Sequence, residues 1–199
     1  QSFWQILGKV VTSLSTFIIL GLVARNYGTA GTGVFTLALT YLAIFYLVAD
    51  FGFNDHILRK FQVPSSKFQI EWQKLLGTRL VWSGILVVLA VGSLPFWPFS
   101  SPEFVKASVF GSLAIIGSSV FVTCNLIFQS KLRYDLSVLA SGLGTLAGLL
   151  VFVFLSAFKF PVPFLLSAHL VSWLVIALMA VLLVRKFIPK VIPLIDIRY

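Results

Sequence analysis

The sequence predicts an all-α integral membrane protein, a bundle of six transmembrane helices. Six long apolar stretches fill most of the 199 residues. Hydrophobic residues make up 59% of the chain and charged residues only 11%, with a mean hydropathy of +1.02. Because the apolar stretches are continuous rather than alternating, and a helical crossing needs roughly 20 such residues, helices are favoured over barrel strands.

Residues 1–199 are predicted to form one lobe of six helices. Its last part, residues 185–199, is a basic cytoplasmic connector. The six predicted spans are 3–24, 33–50, 78–97, 104–128, 136–157 and 162–184. A short glycine-rich turn at 26–33 predicts that the first two spans form an antiparallel hairpin. In the long loop 53–76, Phe68, Trp72 and Leu75 recur at helical spacing, which predicts a short amphipathic helix on the inner membrane face.

The net charge of +9 is distributed unevenly along the chain. Eleven basic residues lie in or beside the loops after spans two, four and six, whereas the opposite loops carry only Arg25, Lys106 and Lys159. This is the positive-inside pattern, and it predicts that both termini are cytoplasmic. The basic residues are therefore explained by topology and by contact with the headgroups of the lipid bilayer, and no nucleic-acid partner is expected.

Catalytic motifs are missing from the sequence. It has no Walker loop, dinucleotide fingerprint, zinc-ligand spacing or nucleophile elbow, and its six acidic residues are scattered. We therefore expect no enzymatic activity, no metal and no cofactor beyond a possible coupling ion, H⁺ or Na⁺. Transport, sensing and scaffolding remain as function classes.

The best candidates for a functional site are polar residues inside the first span. Gln5, Lys9, Thr12 and Thr16 follow the spacing i, i+4, i+7, i+11 and form one polar stripe on an apolar helix. This stripe is predicted to line a substrate cavity.

Lys9 and Asp50 are predicted to lie at matching depth, since the hairpin places residue 9 opposite residues 49–50. A pair between them would relieve the cost of holding either charge in low dielectric. The pair has two interpretations: a structural contact that fixes the bundle, or a cavity and ion-coupling site. Alternatively, Lys9 extends to the headgroups without pairing.

Three further features have simpler interpretations. Arg25 ends the first span and either anchors the helix at the interface or holds an anionic phosphate. Gly144 and Gly148 are four residues apart, which predicts close helix packing within the bundle rather than a dimer motif. His169 is expected to be satisfied by a neighbouring side chain.

Several of these residues resemble the opening of polysaccharide-biosynthesis flippases of the multidrug/oligosaccharidyl-lipid/polysaccharide exporter superfamily. The matching segments are Gln5 and Gly8, Ala24-Arg25-Asn26-Tyr27-Gly28, Gly33-Val34-Phe35, Asp50-Phe51-Gly52-Phe53, Arg59, and the stretch 128–134. The resemblance covers residues 1–60 in detail and the whole chain in hydropathy.

The resemblance implies two six-helix lobes in the cytoplasmic (plasma) membrane that move a polyprenyl-diphosphate-linked glycan by alternating access. This chain matches the first lobe, so its expected partner is a missing C-terminal lobe or a second copy. By the same analogy Arg25 holds the phosphate and Asp50 serves structure or ion coupling. Two other functions stay open: a multidrug or small-solute antiporter of the same superfamily, and a non-transporting scaffold for glycan assembly.

Overall fold

The structure is a computed structural model that describes residues 2–50, 68–98 and 100–194. Within these residues it is entirely helical, without strands. The α-helices, numbered in chain order, are α1 Ser2–Ala49, α2 Phe68–Ser93, α3 Pro102–Ser112, α4 Ala114–Ser130, α5 Tyr134–Ala157 and α6 Val162–Val184. A single 3₁₀ turn, Leu94–Phe96, extends α2.

Five helical stretches of the described residues are long and apolar enough to cross a membrane. They are Phe3–Ala49, Phe68–Phe96, Pro102–Ser130, Tyr134–Ala157 and Val162–Val184. The all-helical membrane fold is thus confirmed, and the last predicted span agrees with α6 residue for residue. The count differs from the predicted six because the first two predicted spans lie in α1.

The helix α1 is interrupted at one residue, Gly28, whose backbone has φ 66° and ψ −165°. This conformation is essentially restricted to glycine, because a Cβ would be strained there. The predicted turn over 26–33 is therefore much shorter than expected, since its other residues stay helical.

Contacts with the last two helices show that the chain reverses at this break. Helices α5 and α6 are antiparallel, because Gly144 contacts Ile176 and Gly148 contacts Ala168. The first half of α1 runs parallel to α5, with Gly8 beside Val138 and Asn26 bonded to Ser156. The second half runs parallel to α6, with Gly31 beside Val162 and Tyr46 bonded to His169. The two halves of α1 therefore run in opposite directions.

Replacing Gly28 by Ala is expected to destabilise the protein by about 1 to 2 kcal/mol, because the added Cβ opposes this backbone conformation. Gly21 is the control: it lies in the helical part of α1, and nothing lies within 4 Å of a Cβ added there. Thermal unfolding in detergent should show a lower midpoint for Gly28→Ala and no decrease for Gly21→Ala. Equal midpoints for the two variants would mean that the backbone at residue 28 accepts a side chain without strain.

Helix α2 begins ten residues before the predicted span 78–97. Its first turns contain Trp72 and Leu75, both fully buried, and the Trp72 indole donates a hydrogen bond to the carbonyl of Thr123 at 3.0 Å. The prediction of a separate surface helix here was wrong. The face that contains Trp72 and Leu75 continues as the buried face of α2 through Arg79 and Leu86, and α2 packs against α4 inside the bundle.

Helices α3 and α4 form the centre of the bundle. In their most apolar stretch 61% of the residues are buried, compared with 11% in the most apolar stretch of α1. Ser101 caps the start by accepting a hydrogen bond from the Phe104 amide at 3.1 Å, with Pro102 at the first helical position. The two helices meet at Leu113, and together they correspond to the single predicted span 104–128.

Close packing of α5 on α6 depends on two glycines. A Cβ added at Gly144 would lie 2.7 Å from the carbonyl oxygen of Ser172, and one at Gly148 would lie 2.6 Å from the Ser172 Cβ. The predicted role of these glycines in packing within the bundle is therefore confirmed.

The described part of the basic connector packs on the start of α2. Ile188 is buried beside Trp72, and the Gln73 side chain donates to the Lys190 carbonyl at 2.7 Å. Residues 195–199 of the connector, the loop 51–67 and the motif residues in it, including Arg59, lie outside the described residues.

Candidate functional site

A cavity of about 390 Å³ lies between the two halves of α1 and helices α5 and α6. Much of its wall is apolar, including Phe35, Phe152, Phe121 and Trp173. Seven polar side chains also line it: Thr12, Ser15, Thr16, Ser141, Thr145, His169 and Ser172. They come from three helices, so the cavity is a mainly apolar space into which three helices bring polar groups.

The hydroxyl groups in this cavity fall into two sets. Thr12 and Thr16 donate to backbone carbonyls four residues earlier at 2.9 Å, and Ser141 donates to the Val138 carbonyl at 3.2 Å. Such bonds to the preceding turn are the usual way a hydroxyl is satisfied in an apolar helix. Ser15, Thr145 and Ser172 make no hydrogen bond to any described residue and remain available to a ligand.

His169 is held at the cavity wall by α1. Its Nε2 atom lies 2.8 Å from the hydroxyl oxygen of Tyr46, and its ring packs edge-on against Trp173. The expectation that a neighbour satisfies this histidine is confirmed. The hydrogen bond leaves the other ring nitrogen, Nδ1, without a partner among the described residues.

A second, more open depression of about 590 Å³ adjoins the cavity. It is lined by Gln5, Gly8, Lys9, Thr12, Ser13, Val138 and Ser141. Thr12 and Ser141 line both spaces, so the two form one furrow between α1 and α5. The structure thus brings Gln5, Lys9, Thr12 and Thr16 to one continuous surface.

A sequence comparison identifies the family. The model of the polysaccharide biosynthesis protein family matches residues 1–198. The chain belongs to this family. No curated protein and no solved structure gave a match.

Membership of the polysaccharide biosynthesis family agrees with the resemblance in the first 60 residues, and together with the apolar helices it indicates a multi-pass membrane protein. Flippase activity, membership of the exporter superfamily and the two-lobe arrangement are more specific than this family match, and they stay predictions.

In this polysaccharide biosynthesis protein, Arg25 lies apart from the furrow. Its side chain is exposed near the Gly28 break and lines neither of the two spaces. Its role in phosphate binding stays a prediction.

Asp50 has a different partner from the one predicted. Its Oδ1 atom lies 3.4 Å from Nη2 of Arg79, whose side chain is 1% exposed, while that of Asp50 is 46% exposed. Lys9 forms no ion pair with Asp50 among the described residues, so the pairing that the sequence left open is not made here. The second half of α1 ends against α2, which carries Arg79, whereas the first half presents Lys9 beside α5.

Four polar cavity residues were missed from the sequence, namely Ser15, Ser141, Thr145 and Ser172, and so was the aromatic Trp173. A signal for them exists, because Ser141, Thr145 and Gly148 follow helical spacing on α5, as Ala168, Ser172 and Ile176 do on α6. Sequence alone left open whether such small and polar residues pack helices or line a space. Among the described residues, no group of three His, Cys, Asp or Glu side chains could hold a metal ion.

Proposed function

We propose that this polysaccharide biosynthesis protein is a flippase unit that moves a lipid-linked glycan precursor across the membrane. In this proposal the chain crosses the bilayer six times, with both termini cytoplasmic. A straight helix of 47 residues would be about 70 Å long, more than twice the roughly 30 Å of hydrocarbon. The reversal at Gly28 supports two crossings by α1.

The observation that carries this proposal is the furrow along α1 and α5. Polar groups are costly in a membrane interior and tend to face a substrate path or a water-filled cavity. Here a cation, an amide and several hydroxyls line one continuous surface in a family of polysaccharide biosynthesis proteins. A substrate with a charged head, hydroxyl-rich sugars and a lipid tail matches that combination.

Lys9 is the group proposed to attract the diphosphate. It lies in the open depression, where an ammonium can bind an anionic group without being withdrawn fully from water. Arg25 lies sixteen residues further along α1, about 24 Å away if the helix is straight. We propose that it receives the diphosphate at the opposite membrane face. A coupling ion, the second lobe or a second copy, and the plasma membrane location belong to the same proposal.

Replacing Lys9 by Gln is expected to reduce transport of a polyprenyl-diphosphate glycan at least tenfold, because the cation that attracts the head is lost. The assay follows surface polysaccharide in cells and movement of a fluorescent lipid-linked glycan in proteoliposomes. Lys106→Gln is the matched control, since Lys106 is exposed on α3 outside both spaces. Equal transport by the two variants, at equal protein levels, would contradict the role of Lys9.

The same assay separates the two alternatives. A multidrug antiporter should export cationic dyes, but no described Asp or Glu lines the furrow to attract them. A scaffold should tolerate both Lys9→Gln and Arg25→Ala while requiring residues 68–75, which begin helix α2.

A further inference from the structure

We propose that the 390 Å³ cavity is a subsite for an uncharged sugar, the one attached directly to the diphosphate of the lipid carrier. This inference rests on the proposed function, which supplies the diphosphate and its position at Lys9. It adds the chemical class of the first sugar and the residues that recognise it.

Several polar residues of the cavity have unmet hydrogen-bonding capacity. Ser15, Thr145, Ser172 and His169 line the cavity, and their hydroxyls and the Nδ1 atom of His169 have no hydrogen-bond partner among the described residues. Such groups in a mainly apolar wall are best satisfied by a ligand that both donates and accepts hydrogen bonds, and they come from three helices. Sugar hydroxyls do both.

Aromatic rings form part of the remaining wall. Trp173 packs on Phe121 with ring centroids 6.2 Å apart, and both rings line the cavity. Aromatic faces carry negative potential and attract the positive edge of a neighbouring group, so the C–H face of a sugar ring packs well on them. A site that combines hydroxyl groups with aromatic side chains fits a pyranose better than an acyl chain, which would leave the polar groups unpaired.

The size and charge of the cavity also restrict the ligand. A volume of about 390 Å³ lies near the lower end of the roughly 300–1,000 Å³ typical of small-molecule sites, which suits one or two rings and not a long glycan. No described Asp, Glu, Lys or Arg lines the cavity. A uronic acid would therefore lose its hydration without gaining a counter-ion, whereas a neutral sugar would not.

The position of the cavity connects the sugar to the diphosphate. Thr12 and Ser141 line both the cavity and the depression that holds Lys9. In this proposal a diphosphate at Lys9 leads the sugar joined to it into the cavity. The remaining sugars of a longer glycan would extend out of the furrow.

The test compares three probes on the chain in lipid nanodiscs: farnesyl diphosphate, its glucosyl derivative and its glucuronyl derivative. Titration calorimetry of the wild type should show the glucosyl probe bound about tenfold more tightly than farnesyl diphosphate, and the glucuronyl probe no more tightly than farnesyl diphosphate. The double variant Thr145→Val, Ser172→Ala should lose the tenfold preference, because it loses two hydroxyls while keeping similar side-chain volumes. Its affinity for farnesyl diphosphate should not change.

Ser167→Ala is the matched control. Ser167 lies five residues before Ser172 on α6, its hydroxyl bonds to the Phe164 carbonyl, and it does not line the cavity. Equal affinities for the glucosyl probe and farnesyl diphosphate in the wild type, or an unchanged preference in the double variant, would overturn the sugar subsite while leaving the proposed function intact. Tight binding of the glucuronyl probe would overturn the selection for uncharged sugars. Failure of all three probes to bind would overturn the proposed function and this inference with it.

Discussion

Replacing Asp50 by Ala is expected to destabilise the protein by about 3 kcal/mol. The reason is the asymmetry of its ion pair with Arg79, whose side chain is 1% exposed while that of Asp50 is 46% exposed. Removing the carboxylate leaves a buried guanidinium without this counter-charge, and breaking a pair that holds a buried charge is strongly destabilising. The measurement is the unfolding midpoint in detergent, together with the fraction of protein that elutes as a folded species.

Replacing the other partner of the pair, Arg79, should destabilise the protein less. Arg79→Met removes the buried charge, keeps much of the side-chain volume and leaves Asp50 able to reach water, so a loss of about 1 kcal/mol is expected. The exposed pair between Arg133 and Asp135, with a contact of 2.8 Å, provides the control. Arg133→Gln should leave the unfolding midpoint nearly unchanged, because ion pairs exposed to water contribute little to stability. If Asp50→Ala behaved like Arg133→Gln, the Asp50–Arg79 pair would have no role in stability.

Replacing Gly144 by Ala is expected to cost about 2 to 3 kcal/mol. A Cβ there would lie 2.7 Å from the Ser172 carbonyl oxygen and 2.9 Å from the Ile176 amide nitrogen, so the two helix backbones must separate. The cost exceeds the gain of up to about 1 kcal/mol that alanine normally brings over glycine inside a helix. Because Ser172 also lines the cavity, separation of α5 from α6 should reduce transport as well.

Gly142→Ala is the matched control for this prediction. Gly142 lies two residues earlier on the same helix, and nothing lies within 4 Å of a Cβ added there. It should be neutral or slightly stabilising, by the usual helix preference. A similar loss of thermal stability in both variants would mean that close packing at Gly144 is not what holds α5 to α6.

The furrow connects stability to the proposed function. The glycines that bring α6 close to α5 pack directly against Ser172 of the cavity wall, and the Tyr46–His169 hydrogen bond connects the second half of α1 to the same wall. The site is therefore built by the packing of helices that are distant in sequence.

The sequence predicted the bounds of the helices better than the contacts between them. The apolar stretches of α5 and α6 gave their bounds closely, because hydropathy and the length needed to cross a bilayer are local properties. The beginning of α2 was placed ten residues too late, since charged residues among Phe68, Trp72 and Leu75 resembled a surface helix. The buried face of that helix, and with it Arg79, could be found only by following the spacing onward to Leu86.

What the sequence determined by itself was the helical membrane fold, the family, and the polar stripe of Gln5, Lys9, Thr12 and Thr16. These follow from composition and from the period of one helix. Only the tertiary structure decided that Arg79 rather than Lys9 pairs with Asp50, and that Ser15, Thr145 and Ser172 meet at one cavity. Such pairings depend on the reversal at Gly28 and on how closely α5 and α6 approach, and no local pattern in the chain contains those distances.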